Sequence, residues 1–351
     1  MIPIFDGHND TLRRLFLQRQ NQPELFFKEC NTGHLDLTRA KKGGLIGGFF
    51  SINVPNPNQE NLMKKVKFTN DGYRTPLPEQ IGYLYAKEFT DNVIEFTYNL
   101  EINSQNKVRI TKSYSELEEC VKKNLFIIIL HLEGAEAIDY DLKDLNKYYE
   151  KGIRAIAPLW SRKNIFGKGV PFNFGSLQYN ESGLTEIGKK LIEKCNRMGI
   201  LIDTSHMNLS SFWDMVGISK APVVASHSNV YRLSKSSRNL TDKQIKAIGE
   251  SNGIIGINFS AGFIRDDGYP NKNTPINTLV NHINHIRNLI GTDHIGIGSD
   301  FDGSTLIKSL DNVEKLPIII KALEKENFNK EEIKKFCYKN WFRVIKNTWK
   351  K

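Results

Sequence analysis

The chain opens with an apolar run, Ile2-Pro-Ile-Phe5, that leads into Asp6-Gly-His8-Asn-Asp10. Side chains at i and i+2 of a strand leave the same face, so His8 and Asp10 can aim an imidazole and a carboxylate at one point. That is half of a metal site. A short apolar run ending in a potential ligand then recurs at His131-Leu-Glu133-Gly, Asp203-Thr-Ser-His206, Ser226-His227-Ser228 and Asp300-Phe-Asp302-Gly. A single His near a strand end is ordinarily a packed core residue, and a single Asp is ordinarily a helix cap. It is their recurrence at successive strand ends that points to a metal centre.

Imidazoles mixed with carboxylates suit zinc, or manganese or cobalt, better than calcium or magnesium. The donors outnumber the needs of one catalytic ion that must keep a position for water. Two ions about 3.5–4 Å apart, bridged by a carboxylate and a hydroxide, use them all. Glu133, on a strand between the two groups, is the natural bridge. His8 and Asp10 then complete one zinc ion, and His206 and His227 the other. Asp300 is left to hold and deprotonate the bridging water as general base. His131 shares a face with Glu133 but lies deeper, and is read as a support behind the ligands. His34, His282, His285 and His294 are read as structural, from their places in a polar turn, on a helix and at a strand start.

These side chains need a scaffold that gathers strand ends. Apolar runs bounded by Gly, Pro or polar residues predict eight strands: 2–5, 45–52, 126–132, 153–159, 200–203, 222–226, 254–258 and 295–299. Between them, 184–198 and 276–290 carry apolar residues at helical spacing, and Thr241-Asp-Lys-Gln244 is a capping box that opens another helix. The segment around 76–124 is an insertion, with a helix over 79–100, a short strand over 107–111 and a helix over 114–123. Further helices follow the eighth strand and end in 342–349. Eight strands alternating with helices most economically close into a (β/α)8 TIM barrel, here of the metal-dependent hydrolase type with extra C-terminal helices, as a single domain over 1–351. A doubly wound sheet would need a Gly-rich turn opening a helix, and neither Gly43-Gly44 nor Gly47-Gly48 does so.

The balance of 49 Lys+Arg against 39 Asp+Glu gives a formal charge of +10. The lysines are scattered and come with no nucleic-acid-binding signature, so they read as a solvated surface and no nucleic-acid partner is expected. Four cysteines, far apart and without a Cys-x-x-Cys, do not form a disulfide framework. The longest apolar run, 125–130, falls far short of the roughly 20 residues that cross a bilayer, and no leader or lipid-anchor signal is seen. The expectation is a cytoplasmic protein with no membrane partner.

Taken together, Asp6-Gly-His-Asn-Asp10, His34-Leu-Asp-Leu37 followed by Gly43-Gly44, His131-Leu-Glu-Gly-Ala-Glu136, Leu201-Ile-Asp-Thr-Ser-His206-Met-Asn, Pro222-Val-Val-Ala-Ser-His227-Ser, Ser237-Arg238-Asn-Leu-Thr and Gly296-Ile-Gly-Ser-Asp300-Phe-Asp-Gly resemble the membrane (renal) dipeptidase family, peptidase family M19. The motifs stand in the family's order over residues 6–303. The resemblance implies a barrel with two Zn2+, with His8, Asp10 and Glu133 on one ion, Glu133, His206 and His227 on the other, and Asp300 near the bridging water. It adds Arg238 as the arginine that grips a dipeptide's terminal carboxylate, and it implies a homodimer. The absence of disulfide and anchor signals makes the chain similar to the family's bacterial branch. One departure concerns the loop after strand four, where animal members carry a substrate-binding His. Here Leu159-Trp-Ser-Arg-Lys-Asn-Ile-Phe-Gly-Lys168 has none, which leaves Arg162, Asn164 and Lys168 as candidates to polarise the scissile carbonyl.

The expected function is hydrolysis of dipeptides by a hydroxide bridging two zinc ions, with Asp300 and Glu133 as the catalytic carboxylates. The nearest alternative is another binuclear barrel amidohydrolase, an N-acyl amino acid deacylase or a lactonase. Those commonly carry His-x-His on strand one, where this chain has His-x-Asp. A non-catalytic binding protein is the remote alternative.

Overall fold

The computed structural model describes residues 2–19, 22–30, 32–57, 65–177 and 181–350. Eight parallel strands run β1 (Ile4–Asn9), β2 (Leu45–Ile52), β3 (Phe126–Glu133), β4 (Ile153–Ala157), β5 (Leu201–Ile202), β6 (Val224–Ala225), β7 (Ile254–Ile257) and β8 (Ile295–Ile297). Their hydrogen-bonded order is β5-β4-β3-β2-β1-β8-β7-β6. The two free edges meet through a parallel bridge between Asp203 and Val224, with the Thr204 amide donating to the Val224 carbonyl at 2.8 Å, so the sheet nearly closes on itself. This is the TIM barrel expected of eight alternating strands. Gly47 and Gly48 lie inside β2, and Gly43 ends the helix Leu37–Gly43, so neither Gly pair forms a phosphate-binding turn.

The helical segments follow the sequence periodicity closely. Glu186–Met198 is capped by the Thr185 hydroxyl, Asp242–Glu250 opens with the Thr241/Gln244 capping box, and Ile276–Ile290 ends at Gly291. The 76–124 segment holds the helices Tyr83–Asn103 and Tyr114–Lys123. The first starts later than the sequence suggests, after Gly82. The short strand Val108–Ile110 pairs with residues 126–128 of β3, while β4 pairs with residues 130–133, so the two neighbours share one edge of β3 end to end.

The barrel interior is layered. Phe5, Phe49, Ile127, Ile129, Leu201, Val224 and Ile254 fill its lower half together with Trp341 from the C-terminal helix Asn340–Thr348. Trp341 is fully buried and donates its indole N–H to the Ile297 carbonyl at 2.9 Å. Gly7 and Gly296 make room for it: a Cβ at either would lie 2.1 or 2.5 Å from the indole. The C-terminal helices therefore form the floor of the barrel, and the polar groups above occupy the opposite mouth.

Strict alternation along β1 would put Phe5 and His8 on opposite faces. A register shift between Asp6 and Asn9 places one extra residue of β1 against β2. Such a bulge reverses the alternation, so Phe5 packs inside at the floor while His8 and Asp10 point inside at the mouth. Replacing Trp341 by Ala should destabilise the fold by about 3–5 kcal/mol, because it opens a cavity and orphans the Ile297 carbonyl. Chemical denaturation of the metal-free protein measures this.

Candidate active site

Every strand-end ligand candidate reaches one buried point at the carboxyl mouth. Glu133 Oε1 lies 3.7 Å from His8 Nε2, 2.9 Å from His206 Nε2 and 3.6 Å from His227 Nε2. His8 Nε2 is also 3.7 Å from Asp10 Oδ2. Two groupings of donor atoms, each within 4.8 Å of one another, follow: Glu133, His206 and His227, and His8, Asp10 and Asp300. His8 stacks on His227 with ring centroids 3.7 Å apart. All these side chains are buried.

The rings are held from behind. Ser226 Oγ donates to Asp203 Oδ2 at 2.6 Å, so its lone pair is left to accept from His227 Nδ1 at 2.8 Å. His206 Nδ1 lies 2.8 Å from Ser161 Oγ, and Arg238 Nη2 lies 3.3 Å from His206 Nε2. Arginine can only donate, so His206 Nε2 is the acceptor there. Both histidines therefore turn an Nε2 lone pair toward Glu133, the tautomer a metal ligand needs. Both ring nitrogens of His8 are buried without a hydrogen-bond partner. Asp10 is oriented by Ser51 Oγ at 2.6 Å, and Asp300 by Asn258 Nδ2 at 2.9 Å. Asp300 and Asp302 have left-handed backbones, which carry the chain away from β8 while the Asp300 amide stays bonded to the His8 carbonyl.

Burial and the clustered carboxylates set the charge balance of the site. Burial pushes Glu133 up to about 8, with Asp10, Asp300 and Asp203 adding to the effect against the pull of His8. Burial opposes a charged His8, yet Glu133, Asp10 and Asp300 outweigh it and push His8 up to about 10. His206 and His227 are driven well below their ordinary range by burial and by nearby positive charge. The orphaned His8 nitrogens, the facing lone pairs of His206 and His227 and the clustered carboxylates fit divalent metal ions.

Asp203 also comes within reach of His8 and His227. Its oxygens, however, accept the backbone N–H and hydroxyl of Ser205 and of Ser226, which spends their lone pairs on tying β5 to β6. His131 sits under the ligands, 3.6 Å from Asp203 and in edge contact with His8, in the supporting position expected. The other histidines serve the scaffold. His34 bonds to the Asp302 amide, His282 to Val230 and Ile264, His285 to Asp242 and His294 to Gly253.

Arg238 is buried in the cavity wall over the Phe263 ring, with Nε and Nη1 unpartnered. Burial lowers its pKa to about 10, still charged at neutrality. The three loop candidates for carbonyl polarisation do not line this cavity. Arg162 is locked by Glu136 at 2.7 Å and by the Val54 carbonyl, Asn164 bonds to the Pro158 carbonyl, and the Lys168 amine lies 3.5 Å from Glu181. Trp160 and Phe172 pack near His206 instead, so the wall on that side is aromatic. Ser51 and Asn258 escaped the sequence reading although they too sit at strand ends, because neither is a metal-ligand type. Ser161 lies in a loop with no such signal.

The sequence profile of the family described as membrane dipeptidase (Peptidase family M19) matches residues 1–350. A crystal structure of a metallopeptidase from Rhodobacter sphaeroides, liganded with a phosphinate mimic of the dipeptide L-Ala-D-Ala, superposes with a TM-score of 0.94 at 37% identity and covers 99% of both chains. A second crystal structure, of a dipeptidase of the same peptidase family, gives the same TM-score, identity and coverage. An uncharacterised dipeptidase of Schizosaccharomyces pombe is 30% identical over 353 residues, which is 98% of this chain and 80% of that protein. Among the described residues no helix is long and apolar enough to cross a membrane.

Zinc competes with the proton held within the His8–Glu133 cluster, whose affinity for it burial and the neighbouring carboxylates raise. Apparent zinc affinity should therefore fall with acidification, by at least about tenfold per pH unit between pH 8 and 6. Competition with a chromophoric chelator across that range reads the slope.

Proposed function

The chain belongs to the M19 membrane dipeptidase family of metallopeptidases, and from that premise we propose that it cleaves dipeptides at a two-zinc centre built on Glu133. The observation that carries this reading is one carboxylate oxygen facing the Nε2 atoms of His8, His206 and His227 at 2.9–3.7 Å. Asp10 and His8 would hold one ion with Glu133, and His206 and His227 the other. When bound, the ions supply an activated water and polarise the scissile carbonyl.

The chain's own groups supply the rest. Burial raises Asp300 to about 6, with Asp10 adding to the effect, while His8, the Asn258 hydrogen bond and Arg238 oppose it. Asp300, held by Asn258 at 2.9 Å beside the ligands, takes the proton of the attacking water and delivers it to the leaving amine as the C–N bond breaks. Arg238 pairs with the substrate's terminal carboxylate through its unpartnered N–H groups, a geometry for which a guanidinium fork is suited. Trp160, Phe172 and Phe263 wall off bulk water, which strengthens both interactions. The free amine of the substrate would face the metal-side carboxylates, so both ends of a two-residue peptide are recognised and longer chains are excluded.

Metal analysis of the purified protein, alongside amino-acid release from a dipeptide panel with and without a chelator, tests the assignment. Asp300→Asn should keep its full metal content and lose activity by about 10²–10⁴-fold; an active variant refutes the base. Arg238→Gln should raise KM for dipeptides by about 10–100-fold and leave little preference for a free over an amidated C-terminus. Steady-state kinetics on the paired substrates measures it.

A further inference from the structure

The cavity at the ligands opens beside a larger cleft, and Arg13, Asn53 and Trp160 stand in the walls of both. The cavity offers about 100 Å³ and the cleft about 550 Å³. A substrate whose peptide bond lies among the ligands therefore finds room for a long side chain on the cleft side. Arg13 lies in the first turn of the helix Thr11–Arg19, three residues beyond Asp10. Its Nε is buried with no partner, and among the described residues its guanidinium makes no hydrogen bond or ion pair.

Arg162 is paired with Glu136, and Lys65 and Glu79 contribute one charge of each sign. Asp10 feels Arg13 only through space, since its own oxygens are engaged by Ser51 and face His8. Among the described residues Arg13 is therefore a cation in a substrate-sized wall that no carboxylate pairs directly. A partly desolvated guanidinium recognises a carboxylate.

We propose that Arg13 determines specificity by pairing with a side-chain carboxylate on the first residue of the dipeptide, making Glu-Xaa and Asp-Xaa the preferred class. The assignment to the first residue rests on the dipeptidase reading. Arg238, beside His206 and His227, takes the terminal carboxylate, which leaves the first residue to the Asp10 side of the cavity, where Arg13 stands in the wall.

The test compares kcat/KM of the metal-loaded protein for Glu-Ala, Gln-Ala, Ala-Glu and Ala-Gln. The expected preference for Glu-Ala over Gln-Ala is about 10–100-fold, with a smaller difference between Ala-Glu and Ala-Gln. Arg13→Gln brings the Glu-Ala to Gln-Ala ratio close to one, and Arg13→Glu moves the preference to Lys-Ala. A ratio that Arg13→Gln leaves unchanged, or equal rates for Glu-Ala and Gln-Ala in the unaltered protein, overturns the proposal. Should none of the four be hydrolysed, the dipeptidase reading fails by itself. Calorimetric binding of Glu-Ala against Gln-Ala then decides Arg13, with equal affinities counting against it.

Discussion

A single buried carboxylate oxygen, Glu133 Oε1, faces the Nε2 atoms of three histidines, while two further carboxylates, Asp10 and Asp300, lie within reach of the same cluster. Gathering these groups is expensive, since burial disfavours every ionised form and the lone pairs oppose one another. Its persistence depends on the rest of the barrel. Ser226, Ser161, Ser51 and Asn258 each hold one member in place from outside, and Asp203 binds β5 to β6 where the sheet closes. The polar mouth is stabilised by what surrounds it rather than by its own contacts.

Much of this could be seen in the residues alone, and for a physical reason. Parallel strands buried on both faces are short apolar runs, and in a barrel their carboxyl ends converge, so ligand-type residues just past such runs must meet. That logic brings His8, Asp10, Glu133, His206, His227 and Asp300 together without a template. It also predicts β2 residue for residue, because Leu45–Ile52 is bounded by Gly44 and by a polar Asn53.

What escaped the sequence has equally physical causes. The bulge in β1 leaves no mark in the pattern, because it is a property of pairing with β2 and not of the residues themselves; simple alternation from His8 to Asp10 happens to survive it. Arg162 looked available in the loop after β4, yet a partner at Glu136, distant in sequence, takes its charge. The supporting serines and Asn258 are invisible to a search for ligands because their work is to orient rather than to coordinate. Arg13 was similarly unremarkable: only the lining of a cleft shows its guanidinium beside substrate-sized space.

The floor of the barrel has a consequence for how the molecule is made. β1 pairs with β8, and the space beneath both is filled by Trp341, so the inner surface of β1 is covered only once the distant helix Asn340–Thr348 has docked. Synthesis proceeds from the N-terminus, and contacts of such long sequence separation form late. During that interval Phe5, Phe49 and Val224 remain wettable. The floor is thus among the last parts of the barrel to be laid, after the most distant of its segments have met.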